Sequence, residues 1–325
     1  MRGKEFQLLL NACRQTAQTC PQLQRIQRER VEQSAASIKD EVDSFLGAVF
    51  RDREQTRKVA ARSMEPLLLV FDLGLLQVCD LSHFSWQNLD SRVRLIWPDA
   101  TLPSQPNPTR VFYLLVSNLA QLLQAVRVLL LSGFEGQSRA MFRTFVELAD
   151  LTLAVVADEN VYRNYITTYE DEKAEYQHWR KHLSPSVIRR RLATLDDELG
   201  LTAITIIPAD EVRDDTYRWF SLFSHTNLVA HLVSVYPQPL NEQGGGPIAM
   251  LGEAGEMTRG TFSRILLYLW LFFIHFDRLL WERHRWERFR GRRWRGWYKY
   301  RSKVFDTLFR ENYDQLQGIT SGESA

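Results

Sequence analysis

Apolar residues recur along this chain at intervals of three, four and seven, a period that belongs to helices and not to strands. The clearest case is the stretch 136–150. Met141, Phe142, Phe145, Val146 and Leu148, continued by Leu151, Leu153 and Val155, cover most of a helical circumference. Arg139, Arg143, Glu147 and Asp150 share the remainder, within about 80° of one another at the helical angle per residue. The pattern predicts a helix buried on most sides and carrying one narrow ionic stripe. Charges taken out of water need partners, so groups from elsewhere in the chain must meet this stripe, either as a structural ion network or as the wall of a cleft. Pairing within the helix is a weak alternative, because Arg143 precedes Glu147 and the stabilising order places the acid first.

The same reading extends to the rest of the chain and predicts an all-α helical bundle with an extended N-terminal helical region. Residues 5–60 are rich in Gln, Arg, Glu and Ala, with apolar positions at Ile26, Val31, Ile38, Val42, Phe45 and Val49, as expected of long, partly exposed helices. Pro66 should open the apolar segment 67–76, which by itself is too short to span a bilayer. Pro98, Pro103, Pro106 and Pro108 mark 98–109 as a linker, separating an N-terminal region, 1–97, from a helical core, 110–325. Within the core, 110–131 is strongly apolar and turns at Gly133 into the charged-stripe helix. A more polar helix covers 160–183, Ser184-Pro185 starts another that Gly200 ends, and 202–208 alone has β-propensity. Residues 210–236 return to helix. The glycine-rich stretch 237–256 reads as a flexible loop; Gly244-Gly245-Gly246-Pro247 lacks the GxxxxGK[ST] context of a phosphate cradle, so no cofactor is implied. A last long helix begins near Met257, and its run Ile265–Phe276, apolar all round but only twelve residues long, reads as the buried centre of the bundle.

Composition adds little until the distribution of charge is considered. The chain holds 41 basic and 39 acidic residues, so its net charge of +2 demands no polyanionic partner. Cys13, Cys20 and Cys79 form no CxxC pair and fit reduced thiols in a cytoplasmic protein, and the N-terminus lacks the apolar core of an export signal. Locally, however, 283–303 packs ten Lys/Arg against the single acid Glu287 and interleaves Trp286, Phe289, Trp294, Trp297, Tyr298 and Tyr300. Arg290, Arg292, Arg293 and Arg295 with Trp294 and Trp297 are therefore candidate polyanion contacts. Cations meet phosphates while rings stack on bases or settle among lipid headgroups, so single-stranded RNA or an anionic membrane surface would suit the segment. The competing reading is an Arg-rich helix end whose rings pack back onto the bundle. The N-terminal helices are the candidate surface for a partner helix or a second copy of the chain.

Two further constellations bear on chemistry. Arg218 and His225 stand seven apart, about 20° from eclipsed on a helix. An imidazole can exchange a proton near neutral pH and a guanidinium can hold a phosphate, which together suit metal-independent cleavage of a phosphodiester. Glu175, His178 and His182 could share one face, but a di-iron bundle needs two such units and there is no second, so no metal site is expected.

The Arg143-x-x-x-Glu147 helix followed by Tyr217-(x)6-Ser224-His225 resembles the bacterial domain of unknown function 5677 family, over about 110–236. That resemblance implies a helical protein with an Arg/Glu helix and a Tyr…Ser…His helix. Arg218, six intervening residues and His225 are also similar to the signature of the nucleotide-binding helical (HEPN-like) ribonucleases of toxin and phage-defence systems, although Trp219 stands where those enzymes carry a polar residue. On that likeness His225 would be the general acid/base, with Arg218, Arg143 or Arg139 holding phosphate and Glu147 orienting an arginine. The alternative is a non-catalytic interaction or sensor protein in which the Arg/Glu/His network is structural.

Overall fold

The computed structural model describes residues 4–19, 31–89, 94–98, 106–201, 207–224, 255–286 and 292–312, which form α-helices and one π-helical turn and no β-strand. The all-α expectation therefore holds for the described residues; the β-prone run 202–206 and the loop 237–254 lie outside them.

Two compact units divide at Thr56/Arg57. The first holds α1, Lys4–Thr19, and most of α2, Val31–Ser63. Along α2, Ile38, Val42, Phe45 and Leu46 are exposed at helical spacing, a solvent-facing apolar stripe.

The second unit carries the core. It comprises α3 (Glu65–Gln87), α4 (Pro108–Leu131), α5 (Glu135–Ala157), α6 (Glu159–Ile166), α7 (Glu172–His182), α8 (Pro185–Glu198), α9 (Ala209–Ser224), α10 (Glu256–Arg278) with a π turn at Leu279–Arg283, and α11 (Arg292–Glu311). Local chemistry sets the helix ends. Pro66 sits in the first turn of α3, where its missing N–H costs nothing. Asn107 caps α4 through its side chain, which accepts from Thr109 N at 2.8 Å. Gly133 and Gly200 take positive φ, 74° and 60°, just past the ends of α4 and α8. Asp158 and Asp171 cap α6 and α7, splitting into two helices the stretch 160–183 that periodicity reads as one.

The helix with the ionic stripe, α5, is the hub: it packs against α4, α6, α8, α9 and α10. A second layer forms where α3 lies against α4, α10 and α11. The division between units thus falls at a different place from the proline-rich run, because α3 shares a core with helices on the far side of it: Phe71 meets Phe262 edge to face, and Phe84 stacks on Trp294. The apolar segment at 67–76 is also longer than its composition suggests. It continues through Gly74 as a helix of 23 residues, and by length and composition α3 and α4 could each cross a bilayer, although 44% of the most apolar window of each is buried inside the protein.

Gly74 marks a close approach. A Cβ there would stand 3.2 Å from Phe305 and 3.5 Å from Phe273, so α10 and α11 sit against bare backbone. Gly74→Val is expected to lower the free energy of unfolding by about 1–3 kcal/mol through overpacking, read as a lower urea midpoint with an unchanged slope.

Candidate functional site

Four helices bring their polar residues to one seam. From α5 come Arg143, Glu147 and Asp150; from α8, Arg189 and Asp196, seven apart; from α9, Arg213 and Tyr217, four apart; from α10, Tyr268 and His275, seven apart. Each spacing keeps the residues on one face of its helix, so the seam runs from solvent into the core.

The inner layer is fully enclosed. Asp150, Asp196, Arg213, Tyr268 and His275 are all buried. The Arg213 guanidinium grips Asp196 with two nitrogens, Nη2 donating to Oδ1 at 3.0 Å, and its Nε lies 3.7 Å from Asp150. Tyr268 donates its hydroxyl to Asp150 at 2.7 Å. His275 Nε2 meets Asp196, and its Nδ1 lies 3.2 Å from Leu271 O and 3.3 Å from Arg213 Nη2, so both ring nitrogens are taken up inside the core. Two carboxylates facing one guanidinium leave a surplus negative charge in a medium of low polarity, and the pKa values follow. Burial raises Asp150 to about 6, against the opposing pull of Arg213 and Tyr268. Burial would raise Asp196 too, but hydrogen bonds from His275 and Arg213 hold it below the usual range. Burial keeps His275 neutral by lowering its pKa, in spite of Asp196. Asp150 therefore carries the strain of the surplus charge.

The outer layer reaches solvent. Arg143 pairs with Glu147 at 3.1 Å and donates to the Tyr217 hydroxyl at 3.1 Å, while the Arg189 guanidinium lies 4.0 Å from the centre of the Tyr217 ring. Arg189 also meets Asp214 at 3.2 Å. Arg139, at the other end of the stripe, is enclosed: it pairs with Glu135, donates to Thr261 at 3.1 Å, and stacks 3.8 Å over Trp219, the ring that Arg264 also approaches at 4.6 Å. Burial lowers its pKa to about 10, Glu135 opposing, so it stays charged at neutral pH.

The single stripe thus divides among three sets of partners. Arg139 belongs to Glu135 and Trp219, Arg143 and Glu147 to Tyr217, and Asp150 to Arg213. Helix α9 does face α5, but through Arg213, Tyr217 and Phe220. Arg218 is turned away: its side chain is 80% exposed and its nearest acid is Asp214 at 4.0 Å. Arg218 and Arg143 therefore do not converge, and His225 lies outside the described residues. Sequence reading passed over Arg213, Asp196 and His275. Arg213, Tyr217 and Phe220 at i, i+4 and i+7 were the available signal on α9, while Asp196 and His275 stand alone on their helices.

No family model matches the chain, and neither a curated protein nor a solved structure matches it.

The C-terminal segment is divided as well. Trp286 and Tyr298 are buried, and Trp294 stacks on Phe84 at 3.9 Å and on Tyr298 at 5.2 Å. Trp294 is therefore half-buried, with one face packed on the core, and Arg295 donates to Trp286 O at 3.3 Å. Trp297 and Tyr300 are exposed. Arg290 and the side chains of Arg292 and Arg293 lie outside the described residues. In α7, His178 contacts the Tyr169 hydroxyl at 2.8 Å and Asn164 O at 3.0 Å, and the described residues contain no cluster of His, Cys, Asp and Glu fit for a metal.

Removing the shared guanidinium leaves two buried carboxylates to Tyr268 and His275 alone, without their compensating arginine. Arg213→Met should therefore lower stability by about 3–5 kcal/mol in urea unfolding. The linkage at Asp150 has a definite sign: its folded pKa, about 6, lies above that of an unfolded aspartate, so its contribution is complete below about pH 4 and lost as pH rises through 6. Asp150→Asn removes that loss. Its stability relative to wild type should improve by on the order of 2 kcal/mol between pH 4.5 and 7.5, measured by unfolding at both pH values.

Proposed function

We propose that this protein is a non-catalytic helical interaction protein, in which the Arg/Asp/His network is structural and the exposed rings of α11 engage a polyanion, single-stranded RNA in particular. The observation that carries the reading is that the inner seam is saturated by the protein's own groups: both ring nitrogens of His275 and both carboxylates beside Arg213 are used internally, and all are buried. A general acid or base must reach the proton it transfers, and none of these groups reaches a substrate. Trp297 and Tyr300 supply the recognition surface, with Lys303 exposed on the same helix. Exposed rings beside cations suit unpaired bases on a phosphate chain.

One observation favours a second reading, metal-independent RNA cleavage. Arg143 and Glu147 of α5 meet Tyr217 of α9 at a half-exposed point, and a phenol flanked by the guanidinium groups of Arg143 and Arg189 could hold a scissile phosphate.

The two readings separate in one assay. Oligouridylate labelled at its 5′ end and incubated with the full chain in EDTA should remain intact. Its anisotropy should show binding that weakens about tenfold or more on replacing Trp297 and Tyr300 by Ala, since stacking contributes about 1–3 kcal/mol per base, with no change in Tm. Cleavage that Arg143→Ala abolishes would instead establish the nuclease reading. Equal affinity for anionic vesicles that also depends on Trp297 would move the partner from RNA to lipid.

A further inference from the structure

A second concavity, independent of the seam and of α11, opens at the far end of α5. It encloses about 520 Å³, within the range of sites for small molecules. Its floor is apolar, formed by Ala154 and Ala157 of α5 and by Leu192 and Leu195 of α8, all buried. The Trp97 indole forms one wall.

That wall is held under strain. Trp97, which precedes Pro98, has φ 53°, and Arg285 has φ 52°; both are left-handed positions that a bulky side chain rarely adopts. Both neighbour one buried histidine. His284 Nδ1 accepts from Trp97 N at 3.3 Å and its Nε2 donates to Val156 O at 2.7 Å, so the ring is the neutral tautomer with its proton on Nε2. The Trp97 indole donates to Val155 O at 3.1 Å and meets His284 edge to face at 5.0 Å. Three hydrogen bonds onto the end of α5 and His284 thus fix an otherwise unfavourable backbone. Their common effect is to set an indole against the cleft and to place Arg283, immediately before His284, at its edge. Non-glycine residues held in sparsely populated conformations gather at ligand clamps.

The charges at the rim indicate what the clamp would hold. Asp158 is neutralised by Arg191 at 2.7 Å, and Glu159 by Arg163 at 2.6 Å. Glu198 and Arg283 also line the cleft, are exposed, and make no ion pair among the described residues. One unneutralised anion and one unneutralised cation therefore border an apolar floor and an aromatic wall. We propose that this cleft binds a small zwitterion with an aromatic or aliphatic group, of amino-acid to dipeptide size: the ammonium at Glu198, the carboxylate at Arg283, and the apolar group over Leu192 and Leu195 against Trp97. The opposite charges select the zwitterion over either half of it, because a compound with a single charge leaves one rim ion unmatched.

Isothermal titration of the full chain tests this with L-phenylalanine and L-leucyl-L-phenylalanine as zwitterions and with phenethylamine and 3-phenylpropionate as their single-charge halves. At least one zwitterion should bind with one site per chain, and both halves should bind about tenfold more weakly. E198Q should remove the advantage over 3-phenylpropionate, and R283Q the advantage over phenethylamine; both side chains are exposed and unpaired, so Tm should not move. Thr194→Arg, which fills the mouth from an exposed position, should abolish binding in a chain with unchanged Tm. No heat from either zwitterion at about 5 mM, halves that bind as well as the zwitterions, or binding indifferent to all three substitutions would each overturn the proposal.

Discussion

One guanidinium facing two carboxylates in the core constrains how four helices meet. Arg213 on α9 must satisfy Asp150 on α5 and Asp196 on α8, while Asp196 also holds His275 on α10. Apolar side chains tolerate small shifts along a helix, but hydrogen bonds of about 3 Å between charged groups do not. A slide of one helix by a turn would leave an ion buried without its partner, at several kcal/mol. The network fixes the register of these helices more tightly than the surrounding Phe and Leu residues could. Its specificity carries an electrostatic penalty, visible in the raised pKa of Asp150.

Charges that would suggest catalysis in an open cleft become structural once enclosed. The inner seam contains a histidine, a tyrosine, an arginine and two aspartates, a set that in contact with substrate could transfer protons. Here each group's hydrogen-bonding capacity is directed to its neighbours. The seam's half-exposed end at Tyr217 is the only place where its polar chemistry meets solvent among the described residues, and both guanidinium groups there already have carboxylate partners.

The same sorting operates on the aromatic residues of α11. Successive rings on a helix point in different directions, so Tyr298 enters the core and Trp294, four residues before it, packs half-buried between Tyr298 and Phe84. Trp297 and Tyr300, three apart, stay outside. A composition that looks uniformly suited to nucleic acid is thus half core and half surface. Lys299 is drawn over the Trp281 ring at 4.0 Å, and Arg301 pairs with Asp80, so part of the positive charge also serves to dock the helix.

Helical period, capping residues and prolines are local properties, and they were legible in the sequence: the all-α class, the starts at Pro66 and Pro185, the turns at Gly133 and Gly200, and the ionic stripe on α5 are all where the pattern puts them. The stripe also announced that it needed partners, because buried charge cannot stand alone. Two of its pairs, Arg139 with Glu135 and Arg143 with Glu147, form within the helix, the second in spite of the less favourable order of charges, while the partner of Asp150 on another helix was not legible. Arg213 and Arg218 are alike as residues and lie about 140° apart on one helix, and only the packing of α9 against α5 decides that the first is buried and the second exposed. Asp196 and His275 come from helices whose periodicity says nothing of each other, 79 residues apart in the chain. Trp97 and His284 are farther apart still, and the contact that sets the Trp97 wall of the cleft forms only in the assembled core. Periodicity tells which face of a helix is buried, but the identity of the group across that face is a property of the assembled core.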